Sequence, residues 1–434
     1  MNQLLADPQF THSVTGIYIV DGKTGKPVFE MNSEAGLAPA SCLKLITSIS
    51  ALDMMGPAFR YETTVGLLQS KDSLRLVVNA SGDPAFGSPR WKSTGMKATL
   101  DAILHALKAK GITQLACDIV FRGKNFPYPP VPDGWVWEDI GNYYGAGAWS
   151  FNWNENKYDW ILSSGLKTGD ATRLKYFSPS VAGLSAVNDI ITGEKGSGDN
   201  AYVYAAPYVN QYYATGTIPP QQDEFAISAS MHEPAFFFIQ QLKEILNSGG
   251  IRIAGGHNPA FEDHPINREN IPVICTFASP SLDSMNDWFL KKSINLFGEA
   301  FVKTIALQKC NVGSTDSGVV YIRNFWKERG IENSALKIID GSGLSPANRV
   351  TAKALVQVLQ YAQKRPWFSS FYEDLPAMNG IKMKDGYISG VRSYAGFIKN
   401  NESKEYIFAF IVNNFDGNPG AVREKMWKIL NLLK

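Results

Sequence analysis

The sequence predicts an α+β fold in which an antiparallel sheet is flanked by helices and carries inserted, mostly β domains. Strand-like runs and one apolar helix fill the chain up to about residue 62, and long apolar helices and paired strands return only after about residue 265. The residues between are rich in Gly and Pro and contain short strand-like runs, such as residues 74–78. This change in character indicates an insertion.

The two flanking segments are expected to form one discontinuous domain of residues 1–62 and 265–434. Residues 422–433 end this domain with an amphipathic helix, in which Met426, Ile429 and Leu430 can pack on a sheet. Residues 63–264 are expected to form an accessory region of two small, mostly β subdomains.

A β-hairpin is the first predicted element. Residues 16–20 and 27–30 are strand-like runs, and Lys23-Thr24-Gly25 lies between them with the residue types of a turn. This Lys-Thr-Gly tripeptide is therefore expected only to reverse the chain.

The helix after the hairpin carries the first candidate reactive group. Leu43, Ile46 and Ile49 recur at helical spacing, so Ser41 lies in the first turn. Lys44 shares a helix face with Ser41 because the two are three residues apart. Burial and the positive helix N-terminus both lower a lysine pKa, so Lys44 can be the base that activates Ser41 as a nucleophile. The helix start also leaves the Ser41 N–H free to stabilise an oxyanion.

Rival nucleophiles are weaker candidates. The Ser-x-x-Lys pattern recurs at Ser164-Gly165-Leu166-Lys167 and Ser334-Ala335-Leu336-Lys337, but only Ser41 opens a strongly apolar helix near the chain start. Cys42 lies beside Ser41, yet the five histidines show no catalytic or zinc signature. Cys42 is expected to be a small buried helix residue. The four cysteines lack metal-ligand spacing, so no metal site is expected.

An aromatic-rich segment, residues 126–153, lies in the inserted region. Aromatic rings can stack on sugars, but they more often fill the core of a small β module. Packing is the expected role of this segment, and glycan binding is the alternative.

Ser293-Ile294-Asn295 is the second candidate reactive element. It combines a hydroxyl and an amide two residues apart in the chain, close to Lys292 and Glu299. The alternative is that Ser293 and Asn295 cap a helix, since both residue types favour N-caps.

Lys384-Asp385-Gly386 is the third element. It precedes a predicted strand of residues 387–398, and a second strand of residues 405–413 follows across Lys399-Asn400-Asn401. A sheet-edge strand beside the nucleophile helix provides a cation and, at Tyr387, a second backbone N–H for an oxyanion. Lys167-Thr168-Gly169 is a more literal match, but it leads into polar residues and precedes Ser293.

Together, these three elements resemble the S-x-x-K, S-x-N and K-T-G motifs of the penicillin-binding serine acyltransferases. The chain is most similar to the large low-molecular-mass penicillin-binding proteins of the D-alanyl-D-alanine carboxypeptidase and endopeptidase type. Further segments carry this resemblance across nearly the whole chain: residues 81–84, 135–139, 143–144, 216–220, 292–295 and 340–345. It implies a transpeptidase domain of the β-lactamase-like fold.

The resemblance also implies roles for the matching residues. Ser41 would attack the carbonyl of the penultimate D-alanine of peptidoglycan stem peptides, with Lys44 as base. Ser293 would relay a proton to the leaving amine, and Asn295 would hold the substrate amide and Lys44. Lys384 would supply positive potential. Asp385, Gly386 and Tyr387 would contact substrate, β-lactam antibiotics would acylate Ser41, and no cofactor would be needed.

Asp385 departs from the family pattern, which has Thr or Ser after the lysine. Two negative charges about 4 Å apart cost roughly 4 kcal/mol at an effective dielectric near 20. Asp385 is therefore expected to weaken the binding of ligands that carry a carboxylate unless a cation such as Lys384 or Arg392, or protonation, neutralises it.

Two other functions stay open: a peptidoglycan-binding scaffold on a weakened peptidase fold, and a serine β-lactamase or esterase.

Composition limits the remaining functions. The 434 residues are 44% hydrophobic and 19% charged with a net charge of +2, which argues against nucleic-acid binding. No run of apolar residues is long enough to span a membrane, so membrane association is expected to be peripheral at most. The N-terminus lacks the features of a secretory signal. We expect a periplasmic protein whose export signal has been removed.

Overall fold

The structure is a computed structural model that describes residues 4, 6–70, 73–115, 119–123, 126–127, 129–253, 260–261 and 271–434. Its strands are β1 (Val14–Asp21), β2 (Pro27–Met31), β3 (Glu62–Ser70), β4 (Ser73–Ala80), β5 (Gln114–Leu115), β6 (Val120–Gly123), β7 (Lys157–Ser163), β8 (Arg173–Ser178), β9 (Ser185–Thr192), β10 (Asn200–Tyr204), β11 (Gln211–Ile218), β12 (Phe225–Ser230), β13 (Arg252–Ile253), β14 (Ala260–Phe261), β15 (Val273–Ala278), β16 (Leu336–Lys337), β17 (Arg349–Val350), β18 (Ala377–Met378), β19 (Ile381–Ile388), β20 (Val391–Lys399) and β21 (Glu405–Asn413).

The α-helices are α1 (Leu43–Met54), α2 (Met96–Ala109), α3 (Trp137–Ile140), α4 (Pro234–Ser248), α5 (Leu282–Lys291), α6 (Asn295–Cys310), α7 (Thr315–Lys327), α8 (Ala352–Ala362), α9 (Phe368–Asp374) and α10 (Pro419–Leu430). Within the described residues, no helix has the length and apolar character needed to cross a membrane.

The chain divides into two compact units. The first comprises Met1–Phe59, Pro132–Gly134 and Ser281–Lys434, and the second comprises Arg60–Val131 and Trp135–Pro280. Each unit has its own sheets.

The first unit is built on a six-stranded antiparallel sheet with the order β18-β19-β20-β21-β1-β2. The neighbouring inner strands β21 and β1 are buried along nearly their whole length because helices cover both faces of the sheet. On one face, Ile17 and Phe408 pack with Met426 of α10. On the other, α8 packs against β1 and β21. The predicted α+β architecture is confirmed.

Two strand predictions for this sheet have different outcomes. The N-terminal hairpin is confirmed, with Lys23-Thr24-Gly25 between β1 and β2 and Gly25 at φ +71°. The prediction of one strand over residues 387–398 is wrong. The strand ends at Ile388, and the chain reverses through Gly390, whose φ of +69° suits a tight turn, before β20 begins. Lys384-Asp385-Gly386 therefore lies within β19.

The second unit contains a five-stranded sheet, β14-β6-β4-β3-β15, and two three-stranded sheets, β10-β11-β9 and β12-β7-β8. Its apolar side chains form a large cluster with helices α2 and α4. The packing prediction for the aromatic-rich segment is confirmed for Phe151 and Trp153, whose ring centroids lie 5.1 and 4.9 Å from that of Phe238. It is wrong for Trp137 and Tyr143, which are 59% and 53% exposed.

Candidate active site

Ser41 lies in a short 3₁₀ turn, Ala40–Cys42, that runs directly into helix α1. The first hydrogen bond of this turn joins the Cys42 N–H to the Pro39 carbonyl, so the Ser41 N–H precedes the bonded part of the helix. Ala40 has a φ of +45°, an uncommon conformation for a residue with a side chain. The Asn413 side chain holds the turn from β21, accepting from the Ala38 N–H at 2.8 Å and donating to the Ala38 carbonyl at 3.0 Å.

Lys44 is fully buried and contacts three oxygen atoms. Its Nζ donates to Ser41 Oγ at 2.9 Å, to Asn295 Oδ1 at 2.6 Å and to the Ser342 carbonyl at 2.7 Å. Burial, and then the charge of Lys384, lower the Lys44 pKa to about 7, although Asp340 and Glu299 oppose this shift. A substantial fraction of Lys44 is therefore neutral near pH 7, as a general base requires.

The Ser342 carbonyl is a partner of Lys44 that the sequence did not reveal. The turn that presents it is organised by Asp340, which accepts from the Gly343 N–H at 2.8 Å and from the Ser345 N–H at 2.7 Å. Thr47 on α1 donates to the Gly341 carbonyl at 2.7 Å. Only the folded chain brings the carbonyl of this turn to the lysine.

Glu299 supports the same turn from helix α6. Its two carboxyl oxygens accept from the Gly341 N–H at 3.0 and 3.1 Å. Burial, and then the charge of Asp340, raise the Glu299 pKa, so the neutral form is favoured. The sequence drew attention to Glu299 only through its spacing from Ser293.

Ser293 and Asn295 do not cap helix α6, so the capping alternative is wrong. Ile294 is the N-cap residue, and no side chain caps the helix there. Asn295 instead points its Oδ1 at Lys44. Ser293 is half-buried and has a φ of +56°, a strained conformation of the kind found at functional sites.

Strand β19 lies against the Ser41 turn at Gly386. A Cβ atom at this position would lie 2.5 Å from the Pro39 carbonyl oxygen and 2.9 Å from the Ser41 nitrogen. Only glycine allows the two backbones to approach this closely, and the approach brings the Tyr387 backbone next to the nucleophile turn. This contact joins the first and third sequence elements.

Lys384 and Asp385 form an ion pair at this edge of the sheet. Lys384 is buried, and its Nζ lies 2.8 Å from Asp385 Oδ1 and 2.8 Å from the Asp385 carbonyl oxygen. Burial raises the Asp385 pKa, but the charges of Lys384 and Arg392 outweigh that effect and lower it below the usual value. Of the two ways to neutralise Asp385, the structure supports a cation and not protonation.

The rival nucleophiles lack a suitable environment. Cys42 is buried with its Sγ 3.2 Å from the Lys384 carbonyl oxygen, and burial raises the pKa of its thiol to about 12. Ser164 donates to the Pro219 carbonyl at 2.7 Å, and Ser334 donates to Glu332 on the surface. In the described part of the chain, no group of three or more His, Cys, Asp and Glu side chains is arranged to hold a metal ion.

The structure thus joins Ser41, Lys44 and Asn295 by direct hydrogen bonds. It brings the strand that carries Lys384 against the same turn. The hydroxyl of Ser293 makes no hydrogen bond to this cluster in the described residues.

Comparison with known proteins gives a family match. The model of the D-Ala-D-Ala carboxypeptidase 3 (S13) family matches residues 1–380. A D-alanyl-D-alanine carboxypeptidase of Actinomadura sp. (strain R39) is 25% identical over 97% of this chain and 81% of that protein. The D-alanyl-D-alanine carboxypeptidase DacB of Haemophilus influenzae is 20% identical over 89% of this chain and 83% of that protein.

Solved structures support the same fold. Penicillin binding protein 4 of Haemophilus influenzae superposes with a TM-score of 0.79 at 18% identity, covering 96% of this chain and 93% of that one. It has also been solved with a β-lactam. A predatory endopeptidase of Bdellovibrio bacteriovorus, solved in a penicillin G acylated form, superposes with a TM-score of 0.51 at 13% identity, covering 97% of this chain and 92% of that one.

Proposed function

This chain belongs to the D-Ala-D-Ala carboxypeptidase 3 (S13) family and is a serine-type DD-peptidase of peptidoglycan metabolism; we propose that its acyl-enzyme forms on Ser41. The observation that carries this proposal is the contact between the buried Lys44 Nζ and Ser41 Oγ at 2.9 Å. A lysine with a pKa near 7 in contact with a serine hydroxyl is the arrangement that makes serine nucleophilic at neutral pH.

The reaction proceeds in two steps. Neutral Lys44 takes the Ser41 proton while Oγ bonds to the carbonyl carbon of the penultimate D-alanine, and the Ser41 and Tyr387 N–H groups stabilise the oxyanion. The C–N bond then breaks, and the proton held by Lys44 passes through Ser293 to the leaving amine, which departs as D-alanine while Asn295 holds Lys44 in place. In the second step water attacks the ester, Lys44 takes the water proton and returns it to Ser41 Oγ, and the shortened peptide is released. β-Lactams enter the same first step and remain as esters of Ser41.

The observed Lys384–Asp385 ion pair sets the specificity of the enzyme. A family threonine would leave Lys384 free to attract the C-terminal carboxylate of the substrate, whereas Asp385 pairs with that lysine and cancels its attraction for the carboxylate. We therefore assign this enzyme a preference for ligands in which the equivalent carboxylate is amidated or absent. Such ligands include cross-links in which the carbon that bears the acceptor amine carries no carboxylate.

Replacing Asp385 with Thr is expected to raise kcat/KM for a peptide ending in free D-Ala-D-Ala about tenfold, since the substitution frees the Lys384 charge to attract the peptide carboxylate. The C-terminally amidated peptide should gain little. Steady-state kinetics on the paired peptides give the comparison.

The matched control is Asp385→Asn, which removes the charge but keeps the size of the side chain. Improvement in both variants assigns the effect to charge, and improvement in Asp385→Thr alone assigns it to the added hydroxyl. If both variants cleave the carboxylate substrate at an unchanged or lower rate, the proposed specificity is wrong.

Release of D-alanine from an N-blocked peptide ending in D-Ala-D-Ala tests the proposed activity directly. Only neutral Lys44 can accept the Ser41 proton, so kcat/KM is expected to fall as pH decreases below about 7 and to level off above it. Rates measured from pH 5 to 9 give the profile. A profile that stays flat across pH 7 would contradict Lys44 as the base.

The domain that carries this activity and the cellular location of the enzyme can also be assigned. All the proposed catalytic residues lie in the first unit, so we assign that unit as the catalytic domain and the second as an accessory insertion. Because peptidoglycan lies outside the cytoplasmic membrane, the enzyme is assigned to the periplasm. The scaffold and β-lactamase alternatives gain no support from the family match.

A further inference from the structure

The sheet β10-β11-β9 of the second unit has two unlike faces. Along the central strand β11, Tyr212 and Ala214 are buried in the core, while Tyr213 points to the opposite, outer face. Tyr213 is in register with Val187 on β9 and with Tyr204 on β10. The three side chains therefore form a row across the outer face.

Trp137 extends this row beyond the edge of the sheet. Its ring is stacked on that of Tyr204, with centroids 6.2 Å apart and an interplanar angle of 28°. Trp137 is 59% exposed, and Val187 and Tyr213 are 43% and 42% exposed. We call Trp137, Tyr204, Tyr213 and Val187 the aromatic row. The outer face of a half-covered sheet is normally polar, and a contiguous apolar patch of this kind marks a binding surface.

A groove of about 680 Å³ runs along the aromatic row. Its volume falls within the range of small-ligand sites and suits one or two sugar rings. Gln211 and Thr215 also line it, and Asp189 interacts with the Tyr213 hydroxyl and raises its pKa. The groove thus combines flat apolar surfaces with a few polar groups that can bond to hydroxyls and amides.

The charges around the groove exclude a polyanionic occupant. Its lining residues, all within the described part of the chain, include no Lys or Arg. The short helix that carries Trp137 also carries Glu138 and Asp139. Nucleic acid or an anionic lipid surface would meet negative charge here without a compensating cation. A neutral polymer with C–H faces and hydroxyl edges fits both the charge and the flat aromatic surfaces.

We propose that the aromatic row binds the glycan strands of peptidoglycan. This inference rests on the proposed function, because every stem peptide that such an enzyme cleaves is attached to these strands. A second attachment on the same polymer raises the effective concentration of stem peptides at the catalytic unit without any new contact to the peptide.

Neutral β-1,4-linked N-acetylglucosamine oligomers give the test, because they present the acetamido sugar rings of a glycan strand without its lactyl carboxylates and cannot occupy a peptide site. The unsubstituted full chain is expected to bind them in a titration followed by tryptophan fluorescence and by calorimetry. In the double variant Trp137→Ala/Tyr213→Ala, Kd should rise at least tenfold. Release of D-alanine from a short soluble peptide should be unchanged, and thermal unfolding should verify that the variant is folded.

Tyr176→Ala is the matched control, because Tyr176 is a 47% exposed tyrosine on β8 of a different sheet. It should bind glycan like the unsubstituted chain. Absence of glycan binding, equal binding by the double variant, or equal weakening by Tyr176→Ala would overturn the proposal. So would sedimentation showing that the row joins two copies of the chain. Penicillin acylation without glycan binding would remove this inference alone, and glycan binding without acylation would remove only the proposed nucleophile.

Discussion

Replacing Ser41 with Ala is expected to abolish the covalent adduct that a penicillin forms with this protein. Ser41 Oγ lies 2.9 Å from the Lys44 Nζ, and the alanine variant has no other activated hydroxyl in that position. Intact-mass spectrometry after incubation with a penicillin, followed by peptide mapping, measures the loss. Acylation of the unsubstituted protein should be slow, since Asp385 cancels the Lys384 charge that would otherwise attract the carboxylate that penicillins carry.

Cys42→Ala is the control, because Cys42 is the adjacent residue and carries the intrinsically stronger nucleophile. Its thiol has a pKa of about 12 and bonds to a backbone carbonyl inside the protein, so removing it should leave the adduct in place. An adduct that maps to Cys42, or that persists in Ser41→Ala, would contradict the assignment of the nucleophile.

Replacing Lys44 with Ala is expected to slow acylation by about 10³- to 10⁴-fold, the upper range for loss of a general base. The substitution also removes a donor shared by Asn295 and the Ser342 carbonyl, so each group loses one hydrogen bond. Stopped-flow or quenched mass spectrometry with a penicillin gives the rate constant. Thermal unfolding separates loss of the base from loss of the fold.

Lys384→Ala is the control that separates loss of the base from loss of a nearby positive charge. Lys384 contributes charge and is already paired with Asp385, so its removal should slow acylation by only about 10- to 100-fold. Lys384 also lowers the Lys44 pKa, and the acylation pH profile of Lys384→Ala should therefore shift to higher pH. Acylation by Lys44→Ala at nearly the original rate would show that the base lies elsewhere.

Local sequence was sufficient to predict features that depend on residues close together in the chain. The Ser41–Lys44 spacing predicted their contact because three residues make one helical turn, and the hairpin turn at Lys23-Thr24-Gly25 followed from its flanking strands. The strand boundary at Gly390 was missed because the apolar run continues on both sides of it. The capping alternative for Asn295 was wrong because its side chain bonds to Lys44, which is distant in the sequence.

The sequence by itself therefore determined the α+β class, the candidate nucleophile with its base, and the presence of an unusual aspartate beside Lys384. Only the tertiary structure decided that the Ser342 carbonyl reaches Lys44, that Lys384 is already paired with Asp385, and that Trp137 remains exposed beside Tyr204. The physical reason is the separation along the chain of the residues that each interaction joins. Helical and turn geometry act over a few residues, whereas burial, ion pairing and ring stacking depend on which distant segments the folded chain brings within a few ångströms of each other.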